Sequence, residues 1–169
     1  MPHLLPTRVR AFAGHPMNAV TLRARITRPY WQRRLGHLGR AAIVLKPVWV
    51  YGPQLMWIGD ETMIFHGASL AVESSAWDRS EPVLRIGSRV GIRPYCTISA
   101  AESVVIDDDV IIGAFTGIID SDHTFALGRP NVMHNPVVTS PVQIARYADV
   151  GITSTMPTSW LCRLKLEGL

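Results

Sequence analysis

The first 59 residues contain no aspartate and no glutamate, yet hold eight arginines and Lys46, a sum of +9. Residues 60–169 carry eight bases against thirteen acids, a sum of −5, so the overall charge of +4 conceals two halves of opposite sign. Cysteine is scarce as well. Cys96 and Cys162 are the only two and no CxxC pair occurs, which excludes a multi-bridge secreted framework and a paired-thiolate metal site. Long apolar runs are missing: the longest, Ala41 to Val50, is cut by Lys46 and Pro47, far short of the roughly 20 residues a membrane-spanning helix needs. The N-terminus lacks the unbroken apolar stretch and small-residue cleavage site of a secretory signal, so the expected location is the cytoplasm. Charged residues make up only 18%, but hydrophobic residues reach 47%, which excludes a disordered chain. A length of 169 residues and a mass of 18.7 kDa fit one domain that can bury a core without staples.

An acid-free, arginine-rich start suits an anionic surface such as phospholipid head groups; nucleic-acid binding and organelle targeting are the other readings of such a charge run. Trp31, Leu35 and Leu38 fall at i, i+4 and i+7 with Arg33, Arg34, His37 and Arg40 around them, which predicts a short amphipathic helix. The plainer expectation packs this basic helix on the main body. The alternative puts residues 1–47 in peripheral contact with the inner face of a membrane. A nucleic-acid partner is not expected.

From residue 58 a six-residue rule governs the chain: an aliphatic residue, often a glycine after it, and a small residue four places on. The units are Ile58…Thr62, Ile64…Ala68, Leu70…Ser74, Ile86…Val90, Ile92…Cys96, Ile106…Val110, Ile112…Thr116, Ile144…Ala148 and Val150…Ser154. Ile98, Ile118 and Met156 lead units that run into loops. Six is not a multiple of 3.6, so no helix fits. A plain alternating strand would be apolar at every second place, whereas here turn-prone residues such as Gly59, Asp60, Gly87, Pro94 and Gly113 intervene. The pattern predicts a solenoid of short parallel strands, each placing one large aliphatic and one small side chain inside before a corner. Cys96 occupies such a small interior place, which predicts a buried side chain rather than a reactive thiol.

These units resemble the hexapeptide-repeat acyltransferases, a resemblance that spans about residues 48–156. It implies an all-β fold, a left-handed parallel β-helix in which three hexapeptides make one triangular coil, following a short basic helical segment. The implied division is a basic N-terminal segment (1–47), the β-helix (48–156) with a loop at 119–141, and a non-repeat tail (157–169). The leaders group as 58, 64, 70; 86, 92, 98; 106, 112, 118; and 144, 150, 156, with group offsets of 28, 20 and 38. A regular coil takes eighteen, leaving insertions of 10, 2 and 20 residues, all after a third leader. They must therefore leave from one corner and gather on one edge, where a solenoid usually binds its ligand.

The largest insertion opens with Asp120-Ser121-Asp122-His123-Thr124 and returns at Pro141-Val142-Gln143-Ile144. A histidine at the mouth of such a loop resembles the catalytic base of the family's sugar O-acetyltransferases, the polysaccharide and lipopolysaccharide group and the maltose and galactoside enzymes among them. The resemblance implies transfer of an acetyl group from acetyl-CoA to a sugar hydroxyl, in surface polysaccharide synthesis, by a homotrimer with active sites between neighbouring subunits. The chemistry explains the histidine. An imidazole, with an ordinary pKa of about 6.5, can take the hydroxyl proton during attack on the thioester. Backbone N–H groups can hold the oxyanion, and no acyl-enzyme is needed when both substrates are bound together. One ring nitrogen must be fixed by a partner: Asp120, Asp122 or a loop carbonyl. His134 is the second candidate base, while His3, His15, His37 and His66 read as bland. Arg93 and Tyr95, outward on the repeat, are expected at the acceptor. Asp107-Asp108-Asp109 is expected as a solvated corner, not a metal site, and no metal is expected.

After the loop the family continues with further coils that cradle acetyl-CoA. This chain has Ile144-Ala-Arg-Tyr-Ala-Asp149-Val150-Gly151, with Asp149 where the family has a tryptophan, and the repeat stops after Pro157. The expected donor site is thereby reduced to Gly151, Ile152, Thr153 and Ser154. The tail reads either as a cap on the open end of the solenoid or as the product of a reading frame broken near residue 157, with the second preferred. Two alternatives to the transferase stand: a non-catalytic or degenerate trimeric scaffold, and a γ-type carbonic anhydrase using His66, His123 and His134.

Overall fold

The computed structural model describes residues 16–45, 49–124 and 135–156. Helix α1 (Pro16–Arg34) is followed by short strands laid down in threes. The first face stacks β1 (His37–Leu38), β4 (Met56–Ile58), β7 (Leu84–Ile86), β10 (Val104–Ile106) and β15 (Val142–Ile144). The second stacks β2 (Ile43–Val44), β5 (Met63–Ile64), β8 (Gly91–Ile92), β11 (Ile111–Ile112) and β16 (Asp149–Val150). The third stacks β3 (Trp49–Tyr51), β6 (Ser69–Val72), β9 (Thr97–Ala100), β12 (Gly117–Ile119) and β17 (Thr155–Met156). All neighbours within these faces are parallel, and each inner strand bonds to the coils before and after it. The chain is a three-sided left-handed parallel β-helix.

The predicted leaders stand opposite one another. Ile58 pairs in register with Ile86, which pairs with Ile106, which pairs with Ile144; Ile64, Ile92, Ile112 and Val150 form the second row; Leu70, Ile98, Ile118 and Met156 form the third. From Ile58 through Ile118 these side chains are at most 1% exposed. Full burial of each is worth roughly 1.5–3 kcal/mol. The small places lie inside too: Thr62, Ala68, Val90, Cys96, Val110, Thr116 and Ala148 are buried. The Thr62 hydroxyl stays satisfied by donating to the Gly87 carbonyl and accepting the Val90 N–H. Ser74 departs from the rule. It lies exposed in a 3-10 turn, because the chain has left the coil there.

The stack also begins earlier than the repeat suggested. Leu38, Val44 and Val50 pair with Ile58, Ile64 and Leu70, so a coil precedes residue 48 and takes in part of the basic segment. The short helix expected around Trp31–Leu38 is corrected accordingly. The helix runs through Pro29 and ends at Arg34, and Leu38 is a strand residue. A side chain at Gly36 would collide with the Gln54 carbonyl, so the chain turns there into the first coil. Trp31 and Leu35 are buried against that coil, and the Arg28 guanidinium donates to the carbonyls of Gly39 and Ala42 at 2.9 and 3.2 Å.

The three edges differ. Between the first and second faces, and again between the second and third, the residue three places after the leader takes a positive φ. Ala41, Glu61, Arg89, Asp109 and Tyr147 do so on the first edge, and Gly67, Tyr95, Phe115 and Thr153 on the second. Only Gly67 adopts it without steric penalty. The first edge is laced by ion pairs, Arg40 with Asp60, Arg89 with Asp109 and Arg146 with Asp108. The second carries stacked aromatics. The third carries every long insertion.

Candidate active site

The insertions leave the third face as predicted and stand side by side. The first, after β6, forms the 3-10 turn Ser74–Ala76. The second is the short turn 101–103. The third opens as a two-stranded antiparallel ribbon, β13 (Ser121–His123) against β14 (Val137–Thr139), with His123 opposite Val137. Together they line a cleft of about 440 Å³ walled by Glu73, Ser74, Ser75, Ala101, Ser121, Asp122, His123 and Val137. Loop residues 125–134, and with them His134, lie outside the described residues, as do Cys162 and the tail 157–169.

His123 is half-buried. Its Nδ1 lies 3.3 Å from the backbone carbonyl of Asn135. A carbonyl oxygen can only accept, so this contact requires the proton on Nδ1 and leaves the Nε2 lone pair free. Of the three partners expected for the imidazole, the loop carbonyl is the one in place. Asp120 is not that partner. Fully buried, it accepts the backbone N–H groups of Ala101, Glu102 and Ser103 at 2.6, 2.8 and 2.7 Å. It ties the root of the large loop to the neighbouring turn, a carboxylate fixing backbone rather than an imidazole. The exposed Asp122 accepts the His123 backbone N–H at 2.7 Å, so it too holds the chain and not the ring.

Asn135 is itself buried, and its side-chain amide donates to the Thr124 carbonyl at 2.5 Å. That bond, with the Thr124 N–H to the Pro136 carbonyl at 3.0 Å, fixes the carbonyl that orients His123. Across the cleft stands Glu73. Ser99 donates its hydroxyl to Glu73 Oε1 at 2.5 Å, leaving the other carboxylate oxygen without a partner among the described residues. Sequence reasoning missed Glu73 and Asn135. Glu73 was within reach, since it follows the third leader Leu70 and so leaves at the same corner as His123. Asn135 carried no signal, because its role is played by a backbone oxygen.

Arg93 and Tyr95 lie on a different edge, between the second and third faces. The Arg93 guanidinium sits 5.3 Å from the Phe65 ring centre. Tyr95 stacks on Phe115 at 5.2 Å and meets His66 edge-on at 5.5 Å. Gly151, Ile152, Thr153 and Ser154 crown this same edge, the Thr153 N–H donating to the Ala114 carbonyl at 3.0 Å. The structure thus places the expected donor and acceptor residues on one edge, two coils apart with the Ala114–Phe115 corner between them, and one prism edge away from His123. Cys96 is wholly buried, with burial pushing its thiol pKa up. Asp107–Asp109 form an ionic corner: the Ser88 N–H and Arg146 hold Asp108, and Arg89 holds Asp109, below the usual carboxylate range. Among the described residues no three histidine, cysteine or acidic side chains gather as metal ligands. His66 and His123 stand on separate edges.

No protein-family model matches the sequence, and no curated protein does. Solved structures do match. A variant of AntD, an N-acyltransferase from Bacillus cereus, bound to dTDP-4-amino-4,6-dideoxyglucose and coenzyme A, superposes with a TM-score of 0.64 at 19% identity, over 78% of this chain and 68% of that one. AntD with dTDP and 3-hydroxybutyryl-CoA gives 0.64 at 17% identity over the same shares. A second variant, with dTDP and coenzyme A, gives 0.62 at 20% identity over 77% and 68%. At these identities the likeness carries the fold.

Proposed function

We propose that the protein is an acyl-CoA-dependent acyltransferase with a sugar acceptor, in its specific form an O-acetyltransferase using acetyl-CoA for surface polysaccharide synthesis. One observation carries the reading: an imidazole held through Nδ1 by a fixed loop carbonyl, with Nε2 free in a cleft made by the insertions after Leu70, Ile98 and Ile118. The AntD likeness supports it, since that protein binds coenzyme A and a dTDP-sugar. Nε2 of His123 takes the proton of the acceptor hydroxyl as its oxygen attacks the thioester carbonyl. The tetrahedral oxyanion collapses, the carbon–sulfur bond breaks, and the imidazolium returns the proton to the leaving thiolate. Asp120 and Asp122 set the backbone on which His123 is carried.

Arg93 and Tyr95 for the acceptor and Gly151–Ser154 for the donor remain part of this proposal, and their place on a separate edge is the reason it includes a homotrimer. They lie on a different edge of the solenoid from His123. A closed ring of three sets one edge of each copy against a different edge of the next, which is the geometry a homotrimer supplies. The test measures thiol release from acetyl-CoA with saccharide acceptors, together with the mass of the particle in solution. Turnover by a trimer, lost in His123→Ala with the trimer intact, is expected. Unchanged transfer in that variant removes the mechanism, and absence of both CoA binding and thioester consumption favours the non-catalytic scaffold.

A second reading has its own observation. Glu73 and Asp122 put two carboxylates into the cleft, and no lysine or arginine lines it among the described residues. Such a cleft favours a protonated amine, and AntD is an N-acyltransferase. Matched amino- and hydroxy-sugars in the same assay decide between nitrogen and oxygen.

A further inference from the structure

Helix α1 has two faces of opposite use. Trp31, with Leu35 just past the helix end, is buried in the core, and Ala24 and Arg28 share that side, Arg28 tied to the first coil. On the opposite face Leu22 and Ile26, one turn apart, are 61% and 71% exposed, and Tyr30 continues the row at 42%. Exposed arginines flank the row: Arg23 and Arg25 on either side, Arg33 at its C-terminal end, and Arg34, whose guanidinium donates to the Tyr30 hydroxyl at 2.8 Å. No acidic residue occurs anywhere in the first 59 to neutralise them. A helix that only capped the prism would turn a polar face outwards. No described helix is long and apolar enough to cross a membrane.

We infer that α1 seats the protein on an anionic membrane surface, Leu22 and Ile26 entering the boundary between head groups and acyl chains while the arginines meet lipid phosphates. The pairing of features selects lipid. A nucleic acid would use the arginines but leave both aliphatic side chains in water, since its bases are met by stacking on aromatic rings. An anionic bilayer uses both at once: the arginines through its surface potential, the aliphatic pair by burial. The surface lies at the first coil, away from the cleft, so the inference stands independently of what the cleft catalyses.

Flotation of the full chain with lipid vesicles tests it. The protein is expected to float with phosphatidylcholine vesicles containing phosphatidylglycerol and to stay behind with pure phosphatidylcholine. Leu22→Ser with Ile26→Ser should weaken flotation by more than about tenfold. Both side chains are exposed, so thermal melting and particle mass should not change. Arg23→Gln and Arg25→Gln should each weaken it about fivefold, and added salt should act in the same direction. Failure to float with the anionic vesicles overturns the inference, as does undiminished flotation of the serine variant. Duplex DNA binding kept by that variant, without flotation, overturns it in favour of nucleic acid. A change in particle mass in that variant overturns it by marking the row as a contact between copies.

Discussion

The edge between the second and third faces and the edge between the third and first are written in the same six-residue unit, yet they behave as different materials. The former turns each corner in four residues and stacks Tyr95 on Phe115. The latter breaks its rhythm with the insertions and gathers Glu73, Asp122 and His123 into one cleft. Regular corners bury side chains and bond backbone to backbone, leaving little polar chemistry unpaired. An insertion frees side chains from the ladder, but it must then anchor itself. Asp120 does so with three backbone N–H groups, and Asn135 with the Thr124 carbonyl. Stability comes from the repeat, and its interruptions set unladdered polar side chains around the cleft.

His123→Ala should separate the two edges most strongly. Under the proposed function, acyl transfer should fall by about 10²–10⁴-fold, the usual worth of a general base, with no change in melting temperature. Ile98→Ala is the converse. It should cost about 2–5 kcal/mol of stability, read by denaturant unfolding, because the cavity opens in the middle of the third ladder. Asp120→Ala should act on both sides of the comparison. It strips the partners from three N–H groups, one of them buried, at about 1–3 kcal/mol, and it loosens the root of the His123 strand, lowering transfer as well. Unchanged transfer in Asp120→Ala would mean that the loop holds its shape without the clamp.

The ionic edge should respond to pH rather than to packing. Asp60, Asp108 and Asp109 are held below the ordinary carboxylate range, by Arg40, by the Ser88 N–H with Arg146, and by Arg89 respectively. Groups depressed in the folded chain stabilise it above their unfolded pKa of about 3.9, and that stability disappears as pH falls through the folded values. Melting temperature should therefore drop below about pH 4, and Arg89→Gln should flatten that drop. Smallest of all, Ala41→Gly should raise stability by up to about 1 kcal/mol, since an exposed alanine at φ 54 suffers the left-handed penalty without a compensating contact.

Most of the coil stack was legible because a ladder demands the same residue class at the same place. Ile58, Ile86 and Ile106 announce one another. The coil of Leu38, Val44 and Val50 was not legible, because Leu38 also completes the i, i+4, i+7 spacing of Trp31 and Leu35 and so fits a helix equally well. The positive-φ corners hide for a related reason. They require glycine only on steric grounds, and this chain fills all but one of the nine with other residues. At the site, the insertion phase pointed to His123 and a loop carbonyl stood among its expected partners, but the residue supplying it, Asn135, could not be read. A backbone carbonyl has no residue type, and the nearer aspartates looked better suited than Asn135.

The most direct test is the protonation pattern of the His123 ring. Nitrogen-15 NMR on histidine-labelled protein, with His123→Ala for assignment, reports which ring nitrogen carries the proton in the neutral form. A protonated Nδ1 bonded to the Asn135 carbonyl and a bare Nε2 are expected. A protonated Nε2 with a bare Nδ1 would contradict that assignment.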